Sequence, residues 1–366
     1  VSSKRFPDGL KRVKDRLDRY GMKLGLWFGP ASAAVSSRAL QEHRDCIVSW
    51  HGVEGKPHPI WGTEASYRMC LASRYADSFA ERLIQLSKEV GVTYFKWDAL
   101  GQYGCDSPRH EHGDQTNTPE ERAQSYAFQM LQQMIRMADR IAAACPGAIV
   151  DFDVTEAGRA VGLGFLSAGR FFLINNGPYY ASYDVPRNPG RQNSNLFFYP
   201  GAARTWICRS PLAYDKWIPS ILFLTHYFPD DPRSSQEISL ASLILGQNGI
   251  WGDLPGVSAS GVRLIGETLA RYKQVWNDMA EADPVVVGEV SGSPEIHEKI
   301  STKTGRGAVA IFAPSRGKYS YVTSRAVSPR HWASEGIEHH IDGQRRARLE
   351  ITFDKPGAKI VFFGVG

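Results

Sequence analysis

Cysteine is scarce in this chain of 366 residues: there are five, Cys46, Cys70, Cys105, Cys145 and Cys208. They are odd in number, far apart and contain no Cys-x-x-Cys pair. Such spacing excludes a disulfide framework and predicts no structural zinc site, so free, mostly buried thiols are expected. Long apolar runs are also missing. No stretch approaches the roughly 18–20 residues of a membrane-spanning helix, and no membrane partner is expected. A strong excess of one charge is missing too. The formal net charge of +5 is small for this length, and the basic residues are scattered apart from Arg345, Arg346 and Arg348. No nucleic-acid partner is expected. Repeats, low-complexity linkers and a visible signal-peptide pattern are lacking. The compartment is left open.

What is present is a globular composition, 42% hydrophobic and 22% charged, on a chain long enough to bury a large core. Aromatics reach 11%, with nine Trp and 15 Tyr. Aromatic faces serve sugar platforms and large cores alike.

The most informative stretch is Val92-Thr93-Tyr94-Phe95-Lys96-Trp97-Asp98. It follows Gly91, which ends a helix-like run, and it reads as a buried strand finishing on Lys-Trp-Asp. Alternate residues share a strand face, so Lys96 and Asp98 point the same way. The C-terminal ends of strands are where parallel α/β barrels keep their chemistry. Around it, strand patterns at 23–28, 93–97, 148–153, 171–175, 221–225 and 243–251 alternate with helical patterns. The helical ones include 75–90 and 119–144, the latter stopped by Cys145-Pro146-Gly147. This order argues for a parallel sheet with crossover helices. It supplies about six strand–helix units, against the eight of a closed barrel. From Asp283 onward, short β-type runs between turn residues predict an antiparallel β-domain.

Three segments in order carry a resemblance. They are Phe6-Pro7-Asp8-Gly9-Leu10, then Gly21-Met22-Lys23-Leu24-Gly25-Leu26-Trp27-Phe28, then Tyr94-Phe95-Lys96-Trp97-Asp98. Together they resemble the α-galactosidases of glycoside hydrolase family 36, and more distantly family 27, over about residues 1–280. The resemblance implies a (β/α)8 TIM-type barrel over residues 1–282, incomplete at its N-terminus, followed by a C-terminal antiparallel β-sandwich over 283–366. Two earlier strands and a β-domain precede the Phe-Pro-x-Gly-Leu turn in that family, so residue 1 is not expected to be the native start.

The implied activity is retaining hydrolysis of terminal α-galactosides or related α-sugars through a covalent glycosyl-aspartate, with no cofactor and no metal. The implied partner is an oligosaccharide or glycoconjugate substrate, and a homo-oligomer is a candidate assembly. Alternatives are an α-N-acetylgalactosaminidase, a transglycosidase of the same clan, or a non-catalytic carbohydrate-binding relative.

Position by position, Asp98 matches the family nucleophile, Lys96 a sugar-binding lysine and Arg159 a sugar-binding arginine. Trp27 and Trp97 are pocket or core aromatics. Retaining chemistry needs a second carboxyl group to protonate the leaving oxygen. In strict register the family acid/base falls on Asn175 and Asn176, which cannot donate a proton but can bind substrate. A shifted register places the acid at Asp184, the preferred assignment, with Glu156 and Asp153 as substitutes. Ala99-Leu100-Gly101 after the nucleophile and Gly29-Pro30-Ala31 after the earlier strand depart from the family pattern, which leaves room for a modified sugar. Asp253 reads as structural, and His226 and Tyr227 as residues of the mouth. His110, His112 and Asp114 offer metal donors, but the reading adopted for them is a solvated loop or a sugar subsite.

Overall fold

The computed structural model describes residues 4–59, 64–98, 104–153, 165, 171–174, 209, 212, 216–217, 221–226, 233–251, 254–290 and 292–366. They form two compact units, Val1–Phe172 and Leu173–Gly366.

In the first unit, strand Val92–Trp97 lies between Leu24–Phe28 and Ile149–Asp153, and both pairings are parallel. Parallel neighbours need crossovers, and helices supply them. Helix Tyr75–Gln85 runs into a π-helical turn, Leu86–Val90, that Gly91 closes at φ +80°. That left-handed conformation strains any residue with a Cβ, so glycine is what lets the strand begin at Val92. Helix Pro119–Ala144 starts with a full capping box: Thr118 accepts from the Glu121 N–H while Glu121 accepts from the Thr118 N–H. Pro119 occupies its first turn, where a missing N–H does no harm. Its buried stripe of Tyr126, Met130, Met134, Met137, Ala138 and Ile141 has helical periodicity.

One face of these strands is aromatic. Phe28 and Trp97 meet Phe79 from helix Tyr75–Gln85, Phe95 packs on Phe28, and Phe152 packs on Trp97. The ring centroids are 5.9 Å apart for Phe28–Phe79 and Phe79–Trp97, and 5.5 Å for Trp97–Phe152. These edge-on contacts bury large apolar area and fix the sheet against its helices.

In the second unit, Ile221–His226 and Gln247–Trp251 also pair in parallel. The expected strand 243–251 is shorter than predicted. Leu243 ends helix Arg233–Leu243, and Leu243, Ile244 and Leu245 are buried as helix and turn residues. An apolar run cannot reveal its own period, which explains the error. The parallel β/α pattern is therefore present. Among the described residues it comprises six strands, with no closed eight-stranded barrel.

The antiparallel part holds a five-stranded sheet ordered Val285–Val287, Glu295–Ile300, Gly307–Ala313, Gly357–Phe363, His331–Ala333. A three-stranded sheet is ordered Gly317–Val322, Ala347–Phe353, Ile337–Ile341. Ile296, Val309, Ile311 and Val361 pack against Leu349, Ile351 and Phe353 to form a sandwich core. On its other face the larger sheet packs Ala308, Ala310, Phe312 and Phe362 against Ala241, Ile244, Val275 and Met279 of the helical segments. Both faces of Gly307–Ala313 are thus covered, and all seven residues are buried.

Strand Glu295–Ile300, sequence EIHEKI, was not predicted, because its charges disguise it. Arg209 grips Glu295 through two bonds of 2.6 Å and lies 3.5 Å over the Phe312 ring. His297 Nε2 meets the same carboxylate at 2.6 Å. Burial opposes the ionised Glu295, but the hydrogen bonds from Arg209 and His297 prevail and hold it down at about 2. Burial also lowers His297, more than Glu295 raises it.

Both shifts give the same sign. The unfolded chain binds more protons in acid, so this network stabilises above the ordinary values and loses that contribution as pH falls through 6.5 and 4.5 toward about 2. Replacing Arg209 by Met strands a buried carboxylate and should cost about 3–5 kcal/mol at neutral pH in urea unfolding. The deficit should narrow below pH 4.5, the ordinary value for Glu295. A pH-independent deficit would mean that Arg209 acts by packing alone.

Candidate active site

The opposite face of the first unit's strands is polar. Tyr94, Lys96 and Asp98 share it by alternation along one strand, Asp151 and Asp153 along the next, and Trp27 reaches it from the third. Register sets Trp27 beside Lys96 and Lys96 beside Asp151. All of these groups except Tyr94 and Asp151 cluster at the C-terminal ends of the strands.

Asp98 directly follows its strand, is buried, and is tied to the neighbouring strand by its N–H to Phe28 O, 2.9 Å. Its Oδ2 accepts from Trp27 Nε1 at 3.0 Å and from Lys96 Nζ at 3.2 Å. Lys96 Nζ also meets Asp153 Oδ2 at 3.1 Å, and Asp153 is fully buried. Burial by itself lowers a lysine, but the charges of Asp153 and Asp98 outweigh it and hold Lys96 above its ordinary 10.5. One protonated amine therefore serves two carboxylates. Below this pair, Tyr94 donates its hydroxyl to Asp151 Oδ2. Burial, and then the Asp151 charge, push Tyr94 well above the usual phenol range, so it remains a donor. Gly25 makes room for that ring: a Cβ there would stand 3.1 Å from the Tyr94 ring and 3.2 Å from its Cβ.

Trp27 is 40% exposed with its N–H on Asp98, so its ring edges the site. Trp97 points to the aromatic face and is fully buried in the core. Asp151, which the sequence placed only on a shared face with Asp153, holds Tyr94. Asp184, Glu156, Arg159, Asn175, Asn176, Tyr227 and Asp253 lie outside the described residues, and His226 is described only as the backbone end of its strand.

The loop carrying His110, His112 and Asp114 differs from the expectation. His110 and His112 are buried, at 7% and 2% exposure, and are not solvated. Asp114 is turned away from them, and its carboxylate accepts from the Thr116 N–H and hydroxyl. The two histidines are buried in a loop that Arg122 spans. Its guanidinium donates to the carbonyls of Asp106, Asp114 and Asn117. No local sequence signal announces that arginine.

Residues 1–166 match the Melibiase family. The α-galactosidase Mel36A of Lactobacillus acidophilus is 28% identical over 163 residues, 43% of this chain and 21% of that protein. Alpha-galactosidase 1 of Pediococcus pentosaceus is 26% identical over 99 residues, 27% of this chain and 13% of that protein.

Among solved structures, the α-galactosidase from Lactobacillus brevis superposes with a TM-score of 0.68 at 14% identity, covering 100% of this chain and 47% of that one. An AgaA variant from Geobacillus stearothermophilus, in complex with raffinose, gives 0.65 at 14% identity, covering 100% and 48%. The structural likeness shows the fold. This chain spans about a fifth or less of the curated relatives and about half of the solved ones.

Substituting Lys96 by Met leaves Asp98 and Asp153 buried without their shared cation. The variant should lose about 3–5 kcal/mol at pH 7. Unfolding curves measured across pH should show that deficit fading at high pH, where the wild type loses the lysine charge. The wild-type contribution itself is full below 10.5 and fades as pH rises through the elevated lysine value. An unchanged unfolding midpoint in the variant would refute the bridge.

Proposed function

We propose, from the premise that this chain belongs to the melibiase family, the α-galactosidases of glycoside hydrolase family 36, that it carries the nucleophile half of a retaining α-glycosidase. The observation that carries this reading is Asp98: a buried carboxylate at a strand end, held by an indole N–H and a protonated lysine. Lys96 keeps Asp98 ionised, as attack on an anomeric carbon requires. Trp27 fixes the carboxylate's orientation and offers an apolar edge to the sugar ring.

In the first step a carboxylate oxygen of Asp98 bonds to the anomeric carbon as the bond to the leaving oxygen breaks. A carboxylic acid supplies the proton to that oxygen. In the second step water, deprotonated by the same group, releases the sugar. We assign the acid to Asp184, with Glu156 as the substitute. Asp153 is better suited to orienting Lys96, because it already accepts an ion-paired hydrogen bond from it. Residues 283–366 act as a supporting β-domain. Terminal α-galactosides are the substrate class. The raffinose and stachyose seen with two related structures are the natural first oligosaccharides to assay.

A 2-fluoro α-galactosyl donor with a good leaving group slows release of the intermediate and should trap it. Mass spectrometry should place one sugar on the peptide containing Asp98. The Asp98→Asn variant should take no label and lose at least about a thousandfold in kcat. A label on another residue would move the nucleophile. No label from any α-sugar on folded protein would leave a carbohydrate-binding relative as the better account.

Replacement of Asp184 by Ala separates the acid. It should slow alkyl galactosides far more than aryl galactosides, whose leaving groups need little protonation. Equal losses on both would shift the role to Glu156.

A further inference from the structure

Two of the cysteines that look scattered along the chain meet in space. Cys70, Cys105, His110 and His112 each present one donor atom, and the four atoms lie within 4.8 Å of one another. Four donors around one zinc ion stand about 3.3–3.8 Å apart, given metal–sulfur and metal–nitrogen bonds of about 2.3 and 2.1 Å. The cluster is therefore near the required size before any adjustment. All four side chains are buried, Cys70 and Cys105 completely.

Hydrogen bonds to the backbone settle which nitrogen each histidine turns inward. His110 Nε2 lies 2.9 Å from Asp45 O, so that nitrogen carries the proton. Its Nδ1 is left facing Cys105 Sγ at 3.3 Å. His112 Nδ1 lies 3.0 Å from Arg122 O and is likewise protonated. Its Nε2 is buried without a hydrogen-bond partner among the described residues. Histidines that bind metal commonly donate their second nitrogen to a carbonyl in this manner. A lone pair buried without a partner is a penalty that a metal ion removes.

The scaffold is also stiff. The Cys70 N–H bonds to Cys46 O at 2.8 Å, beside the Ile47–Met69 bridge. Next to Cys105, the Asp106 carboxylate takes the Ser49 hydroxyl at 2.6 Å and the Gly52 N–H at 3.0 Å.

We infer that Cys70, Cys105, His110 and His112 form a structural zinc site of the Cys2His2 type. Two sulfurs and two imidazoles suit tetrahedral zinc in preference to magnesium or calcium. Binding displaces one proton from each thiol to solvent, so two thiolates balance the dication and the buried site carries no net charge. With four protein donors and no exposed position, it has no room for a reacting water, and its role is to hold structure. What it holds is the segment that leaves the Asp98 strand, fastened to the turn that precedes helix Tyr75–Gln85. This assignment does not depend on the glycosidase reading.

The test is metal analysis of the whole chain, produced in zinc-supplemented medium and purified with reductant and without chelator. Plasma mass spectrometry should find about one zinc per chain, retained through dialysis. Exchange for cobalt should give the intense visible bands of a tetrahedral ion and a thiolate charge-transfer band. The Cys105→Ser and His112→Gln variants should bind zinc more weakly by more than the roughly 10–100-fold that loss of an outer hydrogen bond causes. Cys145→Ser and Asp98→Asn should keep it.

If folded wild-type protein holds no stoichiometric zinc and gives no cobalt spectrum, the site does not exist, whatever the variants do. Zinc retained unchanged in Cys105→Ser would also overturn it. So would a Cys70–Cys105 disulfide in peptide maps of protein prepared with zinc and without reductant.

Discussion

One ammonium group between two buried carboxylates governs the first unit. Lys96 Nζ stands 3.2 Å from Asp98 and 3.1 Å from Asp153. Neither carboxylate is comfortable there alone, since a buried charge without a partner is costly. The lysine in turn can hold its proton in so dry a place only because both acids face it. That mutual dependence fixes the register of two strands: a slip of one residue would carry the lysine to the aromatic face and leave the acids behind. The division of the sheet into a polar face and a face of Phe28, Phe95, Trp97 and Phe152 is the other side of the same constraint.

How legible this was in the sequence varied with the physics involved. Helix Pro119–Ala144 could be read to the residue, because its cap and its stop are local chemistry. Asp98 and Lys96 could be read because alternation is a rule of two residues. The partnership of Lys96 with Asp153 could not, because it depends on which strands lie side by side. Trp97 and Trp27 illustrate the point from opposite sides. Both are tryptophans near strand ends, yet parity puts one in the core and the other on the site.

Two failures have a common cause. The histidine loop was expected to be wet because its own residues are polar, and strand Glu295–Ile300 was missed because its own residues are charged. In each case an arginine outside the segment changes the outcome. Arg122 satisfies three loop carbonyls, and Arg209 neutralises Glu295. Burial of polar sequence is decided by partners, and a partner outside the segment itself leaves no local trace. The spacing of the cysteines hides a proximity for the same reason. Thirty-five positions separate Cys70 from Cys105 in the chain, and a few ångströms separate their sulfurs.

The order of strands in the five-stranded sheet governs how the protein is made. Gly357–Phe363 comes after all the others in sequence, yet it sits between Gly307–Ala313 and His331–Ala333. A ribosome delivers the earlier strands first, so the sheet stays split until that segment emerges. In the interval Gly307–Ala313, which is buried throughout in the finished fold, has an unpaired edge. Nascent chains in that state are open to pairing with one another. Slow synthesis over residues 314–356 would prolong that exposure, so the yield of folded protein should depend on the codons used there as well as on the residues they specify.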